Sequence, residues 1–501
     1  MRLNQIKRVE MALRRRATLG TLFDELGPVW GERVLVTEDG GETLTYRDAA
    51  IRVERWSAAI AARTAPGDRV VIAVPNGYPQ FLLAVAASRA GAIAVPLNAR
   101  MRPVEVDHVV ADSEATLVVR DVAELRAGAP SGTAVVADPG EVAALFYTSG
   151  TTGMPKGARL THRALVGQSL PFALAPVQLR DDELVAALPV AHIMGFVTLV
   201  GAAVSGVRVC FLDRFDAGRV LDVLEQRRSS AFIGVPAMYR MMEEAGAGDR
   251  DLSSVRVFMS GADVMPADLA HRFKGYGASA CLPLVGAVGE AMFVEGYGMV
   301  EVGGGVAAKV SPPHVSLGVG DTVGFRLPGY RFRVVDEAGR RVRLGGLGEL
   351  WVKGPGVLKG YWNAPGATAD ALTPDGWLRT GDLVRVGPLG TVMFCGRRKQ
   401  TLKVGGYSVY PLEVETTLEQ HPDVLEASVV GLPDERMGEV PAAVVRPRAG
   451  SGLDGAGLVA WAAERLAPYK APRRVVVVDE LPRTGTEKVQ KDRLAALFGD
   501  G

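Results

Sequence analysis

Residues 70–96 read Val-Val-Ile-Ala-Val-Pro-Asn-Gly-Tyr-Pro-Gln-Phe-Leu-Leu-Ala-Val-Ala-Ala-Ser-Arg-Ala-Gly-Ala-Ile-Ala-Val-Pro. The run Val70–Val74 is short, apolar and rich in β-branched residues, as a buried strand requires, and the Pro-Asn-Gly turn ends it. Phe81–Arg89 then reads as a helix and Ala92–Pro96 as a second strand, which together make a βαβ unit. Similar units run through Ala115–Val119, Val207–Leu212 and Ala231–Val235. The fold class expected is α/β, with doubly wound sheets in a large N-terminal domain and ligands at the carboxyl ends of its strands.

After about Ser311 the texture changes. Short strands at Arg331–Val335, Gly348–Lys353 and Thr391–Cys395 sit between Gly and Pro turns, as in a small β-barrel-like subdomain over about 311–397. Residues 398–501 carry their own β and α pattern and suffice for a small α+β domain. The boundaries read as a basic leading segment at 1–17, a main domain at 18–397 and a C-terminal domain from 398.

The chain has 501 residues, too many for one compact domain, and 48% hydrophobic against 23% charged residues excludes a disordered or low-complexity chain. Its 57 basic and 56 acidic side chains leave a net charge of +1, which removes the electrostatic case for nucleic-acid binding. Three scattered cysteines (Cys210, Cys281, Cys395) make neither a metal-ligand pair nor a disulfide framework, which suits a reducing cytoplasm. Arginines outnumber lysines 46 to 11, so each lysine is weighed singly. Residues 184–207 lack Asp, Glu, Lys and Arg, but Pro189, Gly195, Gly201 and Gly206 break the run. A strand, a loop and a buried helix fit it better than a membrane span. The basic N-terminus lacks the apolar core of a secretory signal; it reads as a solvated helix, with weak peripheral membrane contact as the alternative.

Residues 147–157 read Tyr-Thr-Ser-Gly-Thr-Thr-Gly-Met-Pro-Lys-Gly, directly after the strand-like Val142–Phe146. Thr148, Ser149, Thr151 and Thr152 supply hydroxyl donors, and Gly150 and Gly153 let backbone N–H groups turn toward an anion. Lys156 adds a positive charge. That inventory suits a polyphosphate, although the spacing is not that of a Walker loop. An ordinary Ser/Thr/Gly turn is the bland alternative, and eleven consecutive matching positions weigh against it.

These residues resemble the phosphate loop of the AMP-forming acyl- and aryl-CoA synthetases, members of the adenylate-forming superfamily. The likeness runs from about Thr18 to the C-terminus, with further blocks in the family's order. Pro189-Val-Ala-His192 resembles the segment at the mouth of the acyl pocket, which implies a catalytic-site role for His192. Ser260-Gly261-Ala262 resembles the small-residue segment that adenine lies against, with Asp263 in place of the usual Pro. Gly296-Tyr297-Gly298-Met299-Val300-Glu301 resembles the Gly-Tyr-Gly-x-Thr-Glu block. The resemblance implies that Tyr297 stacks on adenine and that Glu301 binds Mg2+, a cation suited to carboxylate oxygen. Val300 replaces the Thr and cannot hydrogen-bond to phosphate.

Trp377-Leu-Arg-Thr-Gly-Asp382 resembles the block whose Asp accepts from the ribose hydroxyls, and Arg397 falls on the ribose-contacting Arg. Lys399 falls on the hinge of a mobile lid. Lys403, Gly405 and Gly406 resemble the loop along which the pantetheine arm of coenzyme A passes. Pro482–Lys488 resembles the block that ends in the catalytic lysine, so Lys488 would bridge carboxylate and α-phosphate, with Glu487 replacing a Gly. Outside this context His192 would be a core histidine and Lys488 a solvated charge.

The resemblance implies an acid–CoA ligase that uses ATP, Mg2+ and coenzyme A and passes through an acyl-adenylate. The acid pocket is expected between 189–198, 231–240, 260–263 and 296–305, lined by Phe196, Phe232, Met238, Met292 and Gly303–Gly305, with Arg240 toward solvent. Those apolar and small residues favour a medium- or long-chain fatty acid, and then an aryl acid. Transfer to a separate carrier protein and a non-catalytic nucleotide-binding role are the alternatives, the latter suggested by Val300 and Glu487.

Overall fold

The apolar run at 70–74 forms the strand Arg69–Ile72, parallel to Ile93–Pro96 and joined to it by the helix Tyr78–Arg89. The computed structural model describes residues 3–14, 16–98, 101–125, 132–148, 154–174, 181–282, 286–314, 322–483 and 489–499. The chain divides into two compact units, Met1–Arg331 with Lys353–Leu378, and Phe332–Val352 with Arg379–Gly501.

The first unit holds a five-stranded and a nine-stranded sheet. The five-stranded sheet runs Leu117–Val119, Arg69–Ile72, Ile93–Pro96, Val142–Thr148 and Lys156–Thr161. In the nine-stranded sheet Met292–Met299, Val257–Gly261, Ala231–Gly234, Glu183–Ala186, Arg208–Phe211 and Val34–Glu38 lie parallel. Parallel strands need crossovers, and the intervening helices cover the sheets.

Helix Tyr78–Arg89 is mostly apolar, and all but one of its residues are buried. It packs on the five-stranded sheet, and Phe81 meets Phe196 edge-on at 5.3 Å between ring centres. Phe146 of that sheet meets Phe196 at the same distance. Such edge-on pairs contribute about 0.5–1.5 kcal/mol each beyond the area they bury. A second aromatic cluster, Phe232, Tyr239, Phe258, Phe273 and Phe293, fills the core of the nine-stranded sheet.

The charge-free stretch at 184–207 resolves as expected into strand Glu183–Ala186, a loop and helix Ile193–Ser205, closed by Gly206 at φ 79°. Among the described residues no helix is long and apolar enough to cross a membrane. The basic leading segment holds the helix Leu3–Arg14, whose Arg8 guanidinium donates to the Ala173 carbonyl at 2.6 Å.

The second unit combines two sheets. One has the order Arg331–Val335, Leu347–Lys353, Leu378–Val386, Val392–Arg397. The other is five-stranded and built on the long hairpin Val424–Asp434 and Gly438–Pro447. Its core gathers Val404, Val409, Leu418, Val429 and Val445 with Leu458 and Ala462 of the helix Gly455–Ala463.

Candidate active site

Three of the sequence blocks, 189–192, 260–263 and 296–301, lie at the carboxyl edge of the nine-stranded sheet, where parallel strands leave backbone groups to meet a ligand. Side chains alternate along Met292–Met299, so Phe293, Glu295 and Tyr297 share one face. Phe293 stacks on Phe258 in the core, and Glu295 pairs with Lys309 at 2.9 Å. Tyr297 comes last, at the edge, half-buried. The face thus passes from aromatic core to ion pair to Tyr297.

Ser260 and Gly261 are aligned with Glu295 and Gly296 on the neighbouring strand. Ala262 then turns the chain with φ 70°, a left-handed conformation that costs a non-glycine residue about 1–2 kcal/mol. Strain of this kind gathers at functional sites. The Ser260 hydroxyl beneath it is buried and has no partner among the described residues. Gly298 could not carry a side chain, because a Cβ there would lie 1.8 Å from the Gly304 carbonyl oxygen.

His192 caps helix Ile193–Ser205, its Nδ1 accepting from the Met194 N–H at 3.4 Å. Two further contacts hold this turn. The Asn76 side chain accepts from the Val190 N–H at 2.8 Å and donates to the Asp213 carbonyl at 2.6 Å. Gly195 lies so close to Pro189 that a Cβ would stand 2.2 Å from its carbonyl oxygen. On the same helix Met194 approaches Gly261, and Val197 approaches Gly304.

Of the phosphate loop, Ser149, Gly150, Thr151, Thr152 and Gly153 lie outside the described residues. Its two ends are fixed. Thr148 and Lys156 are paired across the antiparallel strands Val142–Thr148 and Lys156–Thr161, and Lys156 is exposed. Helix Pro103–Asp112 ties both ends, with Asp112 accepting from the Tyr147 hydroxyl at 2.7 Å and His108 Nε2 within 2.9 Å of the Pro155 carbonyl oxygen. Burial, with Asp112 beside it, pushes the Tyr147 pKa upward, so the phenol stays protonated.

Glu301 lies in the short turn Val300–Val302 and accepts from the Tyr361 hydroxyl at 2.9 Å. Among the described residues no three or more His, Cys, Asp or Glu side chains gather as a metal site. A single carboxylate fits a magnesium ion that takes its remaining ligands from phosphate and water, as this cation commonly does.

In the second unit Asp382 and Arg397 are directly opposite on antiparallel strands, joined by an ion pair of 2.7 Å. Asp382 is 1% exposed and Arg397 50%, so the acid is fixed in the sheet while the base reaches outward. Lys399 is exposed in the turn Arg398–Gln400. Lys403 bonds the Ser408 hydroxyl at 2.9 Å. Gly405 and Gly406 have φ of 55° and 85° between the strands Leu402–Val404 and Tyr407–Val409. A two-residue hairpin with both φ positive accounts for these glycines by itself. Lys488 and Glu487 lie outside the described residues; the flanking Arg483 and Val489 form an antiparallel bridge.

The expected acid pocket needs correction. Phe196 and Phe232 are wholly buried in the two aromatic clusters, where packing rather than substrate claims them. Gly303 leaves no open space, since a Cβ would meet Ala164 at 2.9 Å. Arg240 is half-buried. The sequence reading also missed Asn76 and Tyr361. Asn76 was visible as the middle of the turn after the first strand, a common ligand-side position; nothing local marks Tyr361.

The AMP-binding enzyme family matches residues 24–362, and the AMP-binding enzyme C-terminal domain matches residues 413–488. The chain belongs to this family, and it is an AMP-forming acid–thiol ligase. It is 37% identical over 486 residues to a feruloyl-CoA synthase of Amycolatopsis sp, covering 92% of this chain and 95% of the relative. It is 34% identical to an indoleacetate–CoA ligase of Aromatoleum aromaticum, covering 91% and 93%. Among solved structures it is similar to ATP-bound MatB from Rhodopseudomonas palustris, with a TM-score of 0.84, 29% identity and coverage of 97% and 99%.

Proposed function

We propose that this ligase joins an aromatic carboxylic acid to coenzyme A in two steps. In the first, the carboxylate oxygen attacks the α-phosphorus of ATP and pyrophosphate leaves. In the second, the thiolate of CoA attacks the acyl carbonyl and AMP leaves. All the reacting groups of the first step are anionic, so catalysis rests on opposite charge and fixed position.

In this reading Thr148–Gly153 and Lys156 hold the phosphates, and Lys488 bridges the carboxylate and the α-phosphate. Gly261, Ala262 and Gly296–Met299 receive adenine, with Tyr297 stacked on it. Asp382 and Arg397 take the ribose, and His192 borders the acid. Glu301 would hold Mg2+, which offsets phosphate charge when bound. Lys399 would be the hinge about which the lid turns, so that Lys403, Gly405 and Gly406 replace Lys488 for the second step. The second step needs no residue to form a covalent link with the acyl group.

Met194 and Val197, one turn apart on a single helix, close over Gly261 and Gly304, so the choice of acid is carried by the relatives. The feruloyl and indoleacetate groups named for the two relatives are both aromatic. The order expected from sequence, fatty acid before aryl acid, is therefore reversed here.

The test is CoA-dependent pyrophosphate release with hydroxycinnamic, indole-acetic, decanoic and hexadecanoic acids. At least tenfold higher kcat/KM for an aromatic acid is expected. A preference for hexadecanoic acid would refute the aromatic reading, and a single burst that CoA does not turn over would make a carrier protein the acceptor.

A further inference from the structure

We infer that Tyr361 is a positioning residue that ties Glu301 to the return strand of the phosphate loop; this rests on the reading of Glu301 as the carboxylate that meets the magnesium-bound phosphates. Residues 358–362 read Leu-Lys-Gly-Tyr-Trp and follow a Gly- and Pro-rich stretch that gives no strand signal. They nevertheless lie antiparallel along Lys156–Thr161, with Ala158 bridged to Tyr361. The Trp362 N–H donates to the Gly157 carbonyl at 2.7 Å, and the Lys359 N–H to the Arg159 carbonyl at 2.9 Å. The Arg159 N–H returns a bond to the Gly360 carbonyl at 3.0 Å. Gly360 makes the alignment possible at φ 107°, a conformation that side chains rarely adopt.

The same five residues hold Glu301 at two points. The Leu358 N–H donates to its backbone carbonyl at 2.9 Å, and the Tyr361 hydroxyl donates to its Oε1 at 2.9 Å. From the other side the Tyr330 hydroxyl donates to the Val302 carbonyl at 3.2 Å. Glu301 and Lys156 are 145 positions apart in sequence, yet one short segment fixes the first against the strand that begins with the second. A glutamate on a three-residue turn has several rotamers open to it. A phenol that donates to Oε1 selects one of them and orients the carboxylate before any phosphate arrives, so less ordering remains to be done on binding.

The experiment measures ATP affinity of the full-length protein by calorimetry, without any acid present, in EDTA and again in excess Mg2+. The variants are Tyr361→Phe, which keeps the ring and removes the donor, and Glu301→Gln. The expected result for Tyr361→Phe is an affinity in EDTA within about twofold of wild type and a Mg2+-dependent gain in affinity smaller by about tenfold. An undiminished gain in Tyr361→Phe, with the gain lost in Glu301→Gln, would overturn the role of Tyr361 and leave that of Glu301 standing. A full gain in Glu301→Gln would overturn both. Equal weakening with and without Mg2+ in Tyr361→Phe would mark the tyrosine as a packing residue and overturn the inference.

Discussion

His162 directly follows the return strand of the phosphate loop, Lys156–Thr161, and its Nδ1 accepts from the Leu19 N–H at 3.1 Å. The ring is 4% exposed, and burial pulls its pKa down to about 4, with Asp138 opposing the shift. Because the unfolded chain has a histidine pKa near 6.5, it takes up the proton first as the pH falls. Stability from the neutral ring is therefore complete above about pH 6.5 and is lost between about 6.5 and 4. The full loss is about 3 kcal/mol, and about 2 kcal/mol of it has occurred by pH 5. Protonation also puts an N–H donor on Nδ1, facing the Leu19 N–H. In His162→Asn the amide oxygen accepts from Leu19 without titrating. Urea unfolding of both proteins at pH 7.5 and 5.0 isolates the effect, since every other titrating group is shared. Wild type should lose about 2 kcal/mol more than His162→Asn over this interval. Equal losses would refute the argument that this histidine is held neutral.

Lys488→Ala is expected to abolish pyrophosphate release while sparing thioester formation from supplied acyl-adenylate; equal loss of both steps would sink the role given to Lys488. Gly298→Ala forces the strand pair at Gly304 apart and should cost about 1–3 kcal/mol, seen as a lower Tm together with a raised KM for ATP. A variant with the Tm and KM of wild type would show that the strand pair there relaxes freely. Asp382→Asn should weaken AMP binding by about 10- to 100-fold in calorimetry, as loss of hydrogen bonds to a charged group does. Unchanged affinity would remove Asp382 from the ribose site. Asn76→Ala frees the Val190 N–H and should raise KM for the acid several-fold with KM for ATP unchanged; a parallel rise in both would mean general loosening.

The sequence by itself determined the alternating architecture, because the periods of strand and helix are local properties of the chain. It also marked candidate site blocks, among them 189–192, 260–263, 296–301 and 377–382. Each of these four lies at a strand end or the turn beside it, and its residues lie together in space because they lie together in the chain. Only the tertiary structure decided which apolar side chains serve the core: Phe196 and Phe232 sit beside site residues in sequence, but alternation and helical rotation turn them into the aromatic clusters. It also decided that Asn76 holds Val190, 114 positions away, and that Tyr361 holds Glu301, 60 positions away. Such pairs depend on which strand lies beside which and on the depth of each side chain between packed layers. Those are set when the whole chain closes on itself, and no window of sequence carries them.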